Sequence, residues 1–215
     1  MGNSTFSSML RTVVGLLEIP VVVVLLLLMA LTVILTASII MEYFTERRLM
    51  TEKIPKFVEA MDGKTLDEES EMIRDSGLLI RQKRALQELI DNCDMPEDAR
   101  VSLSKQLIYE EEVRYKRIVE VTDVIVRISP MFGLLGTLIP LGPGLIALSR
   151  GDTATLSASL MTAFDTTAAG LVVAAINFII SVLRKRWYDG YITGFETIME
   201  TLLAQMKQMK EDRKC

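Results

Sequence analysis

An uncharged stretch from Ala154 to Leu183 is interrupted by one acidic residue, Asp165. At about 100° per residue, Thr155, Ser159, Thr162, Thr166, Asn177 and Ser181 fall on one helical face, with Asp165 flanking it on one side and Thr167 on the other. A carboxyl group in apolar surroundings can take up and release a proton or hold a cation, and hydroxyl lone pairs beside it can replace part of a cation's hydration. A second apolar stretch, Ile128 to Ser149, carries Ser129 and Thr137 among Gly133, Gly136, Gly142 and Gly144, with Pro130, Pro140 and Pro143. Small residues let helices approach closely, and hydroxyls often bond back to their own helix or join neighbours. Two readings therefore stand: the polar stripe lines a hydrated lumen, or it joins helices. Asp165 is correspondingly an ion-handling group or a neutral, hydrogen-bonded residue at a subunit contact.

Other chemistry is excluded by composition. The sequence has no His, so histidine catalysis and His-ligated metal sites are ruled out. It offers neither a paired catalytic carboxylate motif nor a nucleophile with a base, so an enzyme is not expected. No cofactor is expected either. Cys93 and Cys215 stand far apart in polar segments, a pattern of reduced thiols rather than a disulfide or metal site. The net charge of −4 comes without a basic block, so no nucleic-acid partner is expected.

The elements that must position these residues are membrane helices. A spanning helix needs about 20 mostly apolar residues. Pro20 to Met41 meets this without a charge, as do the two stretches above apart from Asp165. The apolar first segment is too long for the core of a signal peptide and is expected to stay as an anchor. Of the 24 Lys and Arg residues, Arg11 and Arg150 alone lie before span one or between spans two and three. By the positive-inside rule the N-terminus is outside and the C-terminus inside, with Arg47, Arg48, Arg184, Lys185 and Arg186 at the cytoplasmic ends.

The expected fold is an all-α membrane protein with three transmembrane helices and long cytoplasmic helical extensions. Residues 1–19, with Phe6, Met9, Leu10, Val13, Val14 and Leu17 on one face, predict an amphipathic helix in the outer interface that Pro20 ends. Span one covers 20–43, a cytoplasmic helical region 44–121, span two 122–149, a short outer loop 150–153, span three 154–187 and a helical tail 188–215. Asp62-Gly63 and Ser76-Gly77 mark turns between cytoplasmic helices. Asp94-Met95-Pro96-Glu97 reads as a capping box, and no breaker follows before Pro130, so this helix runs straight into span two. Its apolar positions Val101, Leu107, Ile108, Ile118 and Val119 form a broken stripe. Tyr188, Tyr191, Ile192, Phe195, Ile198, Met199, Leu202, Met206 and Met209 recur at helical spacing, so span three continues into the cytosol as one helix roughly 85 Å long. That stripe is read as packing against neighbouring helices.

These residues resemble a known family. Ser129-Pro130-Met131-Phe132-Gly133-Leu134-Leu135-Gly136-Thr137 is similar to the second-span signature of the MotA/TolQ/ExbB proton-channel family, and Thr167-Ala168-Ala169-Gly170-Leu171 resembles its third-span element. Three spans are closest to the ExbB/TolQ branch, MotA having four. The resemblance implies a pentamer in the cytoplasmic (inner) membrane around a single-span partner of the ExbD, TolR or MotB type, which brings a membrane Asp. It implies that Thr137 and Thr167 line the ion path; from the polar stripe Asp165, Thr162 and Thr166 are expected on that path with them, and Gly133, Gly136, Gly170 and Pro130 are expected to pack the helices. The chain departs from the family in two places. The acidic position early in span three falls on Thr162, with Asp165 one turn later, and the run Ile139 to Gly144 is rich in Pro.

The function expected is a channel-forming subunit of a motor complex driven by an ion gradient, coupling proton or sodium flow to rotation or force on its partner. One charge crossing 100 mV releases about 2.3 kcal/mol, so a few ions suffice to drive a conformational cycle. The alternative is a non-conducting oligomeric membrane scaffold.

Overall fold

The computed structural model describes Met9 and residues 13–43 and 66–212. Most of the amphipathic N-terminal segment and the Asp62-Gly63 turn therefore lie outside the described residues. The described elements are all helices: α1 (Glu18–Glu42), α2 (Leu66–Asp75), α3 (Ile80–Asp91), α4 (Glu97–Ser149) and α5 (Thr153–Asp212). Three helices are long and apolar enough to cross a membrane, spanning Val13–Glu42, Glu97–Ser149 and Thr153–Met209. The protein is a multi-pass helical membrane protein.

The Val-rich α1 would be a poor helix in water, where β-branched side chains lose rotamer freedom. In lipid no solvent satisfies the backbone, and the helix becomes the one local solution. Pro20 does not break the chain as the sequence predicts. Residues 13–16 are helical, a turn falls at Leu17, and Pro20 sits inside the first turn of α1, where its missing N–H costs nothing. Glu18 adds a favourable charge at that helix start.

α4 runs unbroken for 53 residues despite Pro130, Pro140 and Pro143. It starts at Glu97, where the Pro96 carbonyl accepts from the Ala99 and Arg100 amides at 3.0 and 3.1 Å. Glu97 pairs with Lys207 at 2.9 Å. α5 is longer still, 60 residues, so the third span and the tail stripe belong to one helix.

The bend between them closes itself. The amides of Gly151 and Asp152 donate to the Leu148 and Ala147 carbonyls at 2.9 and 3.0 Å, the pattern that ends a helix on a left-handed residue. Gly151 supplies it with φ of 77°. One residue on, Asp152 caps α5 by accepting from the Thr155 amide and hydroxyl.

The chain forms two units, Met1–Ile39 with Val119–Val182, and Ile40–Ile118 with Leu183–Cys215. In the second, α2, α3, the first part of α4 and the end of α5 enclose a core of Ile73, Leu86, Leu89, Leu107, Phe195, Ile198, Met199, Leu202 and Met206. The amphipathic stripe on the tail thus packs against helices. The Ser76-Gly77 turn joins α2 to α3, with the Ser76 amide and hydroxyl both donating to the Ile73 carbonyl. The facing surface of α4 is less apolar than its sequence pattern suggests, since Arg100, Ser104 and Glu111 are buried there. Glu111 lies 3.7 Å from Arg81, and Tyr115 packs on Tyr188 with ring centres 4.5 Å apart.

Candidate functional site

The first unit holds the intramembrane polar residues, and glycine sets how its helices meet. A Cβ built on Gly170 would lie 2.7 Å from the Ser129 carbonyl oxygen and 3.0 Å from the Gly133 Cα. One built on Gly136 would lie 2.7 Å from the Thr166 Cβ. Spans two and three therefore touch backbone to backbone, with Gly133 against Gly170, Gly136 against Thr166 and, further along α4, Gly144 against Ser159. Pro130 is half-buried on α4, one turn before this seam's centre.

Span one packs on the other side of span two, where Val21 and Leu25 meet Ile139 and Phe132. It is tied to span three by a polar bond: the Asn177 side-chain amide donates to Thr32 Oγ1 at 2.6 Å and to the Val173 carbonyl at 2.8 Å. Asn177 is fully buried, and its Oδ1 has no partner among the described residues.

The polar stripe on span three thus splits by function. Asn177 holds span one. Ser181 is buried and donates its hydroxyl to Asp123 Oδ1 on span two. Thr166 wedges against Gly136 and donates to the carbonyls of Thr162 and Ala163, each at 3.0 Å. Thr155 belongs to the cap at Asp152. Two backbone and side-chain bonds from Thr155 hold the Asp152 carboxyl below its usual range, so this cap contributes above the ordinary carboxylate pKa and is lost as pH falls through the lowered value.

The candidate ion-path residues fall on two flanks of span three. Thr167 donates to the Gly133 carbonyl across the seam at 3.5 Å. Thr137 lies one turn after Gly133 on α4, on the side away from the Ile139 and Phe132 contact with span one, so Thr137 and Thr167 share a flank. Thr137 is half-buried, and its proton goes to the Leu134 carbonyl at 2.6 Å. Thr162 and Asp165 lie on the opposite flank, separated from Thr167 by the Thr166 and Gly170 contact line. Both are exposed in the protomer. Thr162 donates to the Ala158 carbonyl at 3.1 Å, and Asp165 makes no hydrogen bond or ion pair with a described residue. No group of metal-ligand residues occurs among the described residues.

Sequence reasoning missed Asp123. It lies on α4 before the apolar stretch proper, and reads there as one more charge of a polar helix, while the structure has it accept from Ser181.

Membrane-length helices seamed by glycine, with hydroxyls bonded between them, define a multi-span helical membrane protein. The family model of the MotA/TolQ/ExbB proton channel family matches residues 36–197, well over half of the chain. The chain belongs to that family. Its members form a proton channel and transport family rather than a catalytic one. No curated protein sequence matches it significantly.

Proposed function

We propose that the protein is a channel-forming subunit of the cytoplasmic (inner) membrane, with the N-terminus outside. Several copies, five by family resemblance, surround a single-span partner with a membrane Asp, of the ExbD, TolR or MotB type. Proton or sodium flow along the ring then drives rotation or force on that partner. The observation that carries this reading is Asp165, exposed on the protomer within a 60-residue apolar-bearing helix and without a partner among the described residues. A carboxyl group in mid-span is too costly to leave against lipid, so neighbouring protein covers it.

With Asp165 turned toward a neighbouring copy, the flank bearing Thr137 and Thr167 faces the ring interior, away from span one. Both hydroxyl protons are spent on backbone carbonyls. Their oxygens keep free lone pairs, an acceptor surface suited to a hydrated cation or to a partner's protonated carboxyl. The same two backbone bonds favour the rival reading, a non-conducting scaffold whose threonines only join helices.

Ion flux into vesicles holding the protein and its partner separates the two. Thr137→Ala and Thr167→Ala should assemble, checked by co-purification and by native mass of the ring, and should cut flux at least tenfold. Normal flux in both variants assigns the threonines to helix packing and ends the channel reading.

A further inference from the structure

The three spans of the first unit enclose a set of buried polar side chains apart from the threonine flank. Asn177 and Ser129 are fully buried, and Thr32 is nearly so. Every side-chain proton these three own is already committed. The Thr32 hydroxyl donates to the Leu28 carbonyl and the Ser129 hydroxyl to the Ile125 carbonyl, each at 2.7 Å. The Asn177 amide gives its hydrogens to Thr32 Oγ1 and to the Val173 carbonyl. Asn177 Oδ1 has no donor among the described residues. The cluster is therefore short of donors, and a buried acceptor left without one bears its full desolvation penalty.

α4 and α5 run antiparallel here, with Gly133 against Gly170 and Ser181 donating to Asp123. Asn177, seven residues after Gly170, thus stands level with α4 about one turn before Ser129. Side chains lean toward the N-terminus of their own helix, so on antiparallel helices these two lean toward each other. Their protons go elsewhere, and no hydrogen bond joins them directly.

We propose that a bound water molecule is a built-in part of this unit, donating one hydrogen to Asn177 Oδ1 and the other to Ser129 Oγ. Water brings two donors and no charge, which is what a neutral set of acceptors in an apolar interior lacks. Through the Asn177 amide and Thr32, the water completes a polar node that ties span one to both glycine-seamed spans. The inference stands apart from the channel reading.

Water-edited solid-state NMR of the isotope-labelled full-length protein in bilayers tests it, the Asn177 side-chain signal being the one that Asn177→Leu removes. Magnetisation from water should reach that amide several-fold faster than the buried methyl groups of Leu25 and Ile180. Ser129→Ala removes one of the two acceptors and should slow the transfer by roughly threefold, leaving the amide shift set by Thr32 nearly unchanged. Because Asn177 and Ser129 share no direct bond, the melting losses of Asn177→Leu and Ser129→Ala should fall short of additive in the double variant. Transfer to Asn177 no faster than to those methyl groups overturns the proposal, as does additivity of the two losses. Replacing sodium in the buffer by N-methylglucamine should leave the Asn177 signal in place. A displaced signal assigns a cation to the node and overturns the water. Should Asn177→Leu fail to fold, side-chain correlation assigns the signal, and transfer in the parent and in Ser129→Ala decides.

Discussion

A methyl group at Gly170 would press on backbone, the Ser129 carbonyl at 2.7 Å and the Gly133 Cα at 3.0 Å, and backbone cannot swing aside as a side chain does. Gly170→Ala must push spans two and three apart, and overpacking of this kind costs about 1–3 kcal/mol. Thermal unfolding in detergent should show that loss. Gly190→Ala is the matched control, because nothing lies within 4 Å of its added methyl and alanine favours a helix over glycine by up to about 1 kcal/mol. Equal melting of Gly170→Ala and the parent would mean the seam is looser than the distances imply. The small residues of this seam were legible in the sequence, because close helix approach has few other solutions. The direction of each hydroxyl was not. Asn177 and Thr166 share a helical face, yet one is bonded to Thr32 on span one and the other wedges against Gly136. Periodicity gives the face of a helix but not which neighbour lies against it. Thr155 shares that face too and serves the loop, since Asp152 three residues earlier accepts from it.

Among the elements, the end of α5 contributes most to the second unit's core, with Phe195, Ile198, Met199, Leu202 and Met206 all buried. Phe195 is 2% exposed and packs in a cluster with the α3 residues Leu86 and Leu89. Truncating a buried Phe to Ala removes its transfer energy and leaves a cavity, at a cost of about 3–5 kcal/mol. Phe195→Ala should therefore open α2 and α3 to protease at a much lower temperature, while the parent's α3 stays protected. Resistance equal to the parent's would show that α3 does not depend on the tail. This core was readable from the tail's three- and four-residue spacing, as was the continuity of α4 and α5, since no breaker interrupts either helix at the membrane boundary. The matching face of α4 was harder to read. Arg100 and Glu111 occupy inward positions and look like solvated charges in sequence, because burial of a charge such as Glu111, which lies beside the exposed Arg81, depends on contacts between helices. The start of α1 was misjudged for a local reason. Proline is a breaker inside a helix but a good first-turn residue, and the turn at Leu17 places Pro20 in that first turn.

For the whole molecule, the direction of insertion decides which side delivers the ions. Arg150 sits in the loop after α4, and the other cations outside the N-terminal segment lie before the outer half of span two or after span three. Positive charge near span ends is retained on the cytoplasmic side, because moving it across costs work against the membrane potential and the negative inner leaflet. A single Arg in a four-residue loop does not outweigh the cluster Arg184, Lys185 and Arg186 at the far end of span three. The loop between α4 and α5 should then be outside and α2 inside. With Cys93 and Cys215 replaced by Ser, an impermeant thiol reagent applied to intact cells should label Asp152→Cys and leave Glu71→Cys untouched until the membrane is opened. Both positions are exposed, so a missing label reports the membrane and not burial. The opposite pattern would invert the chain.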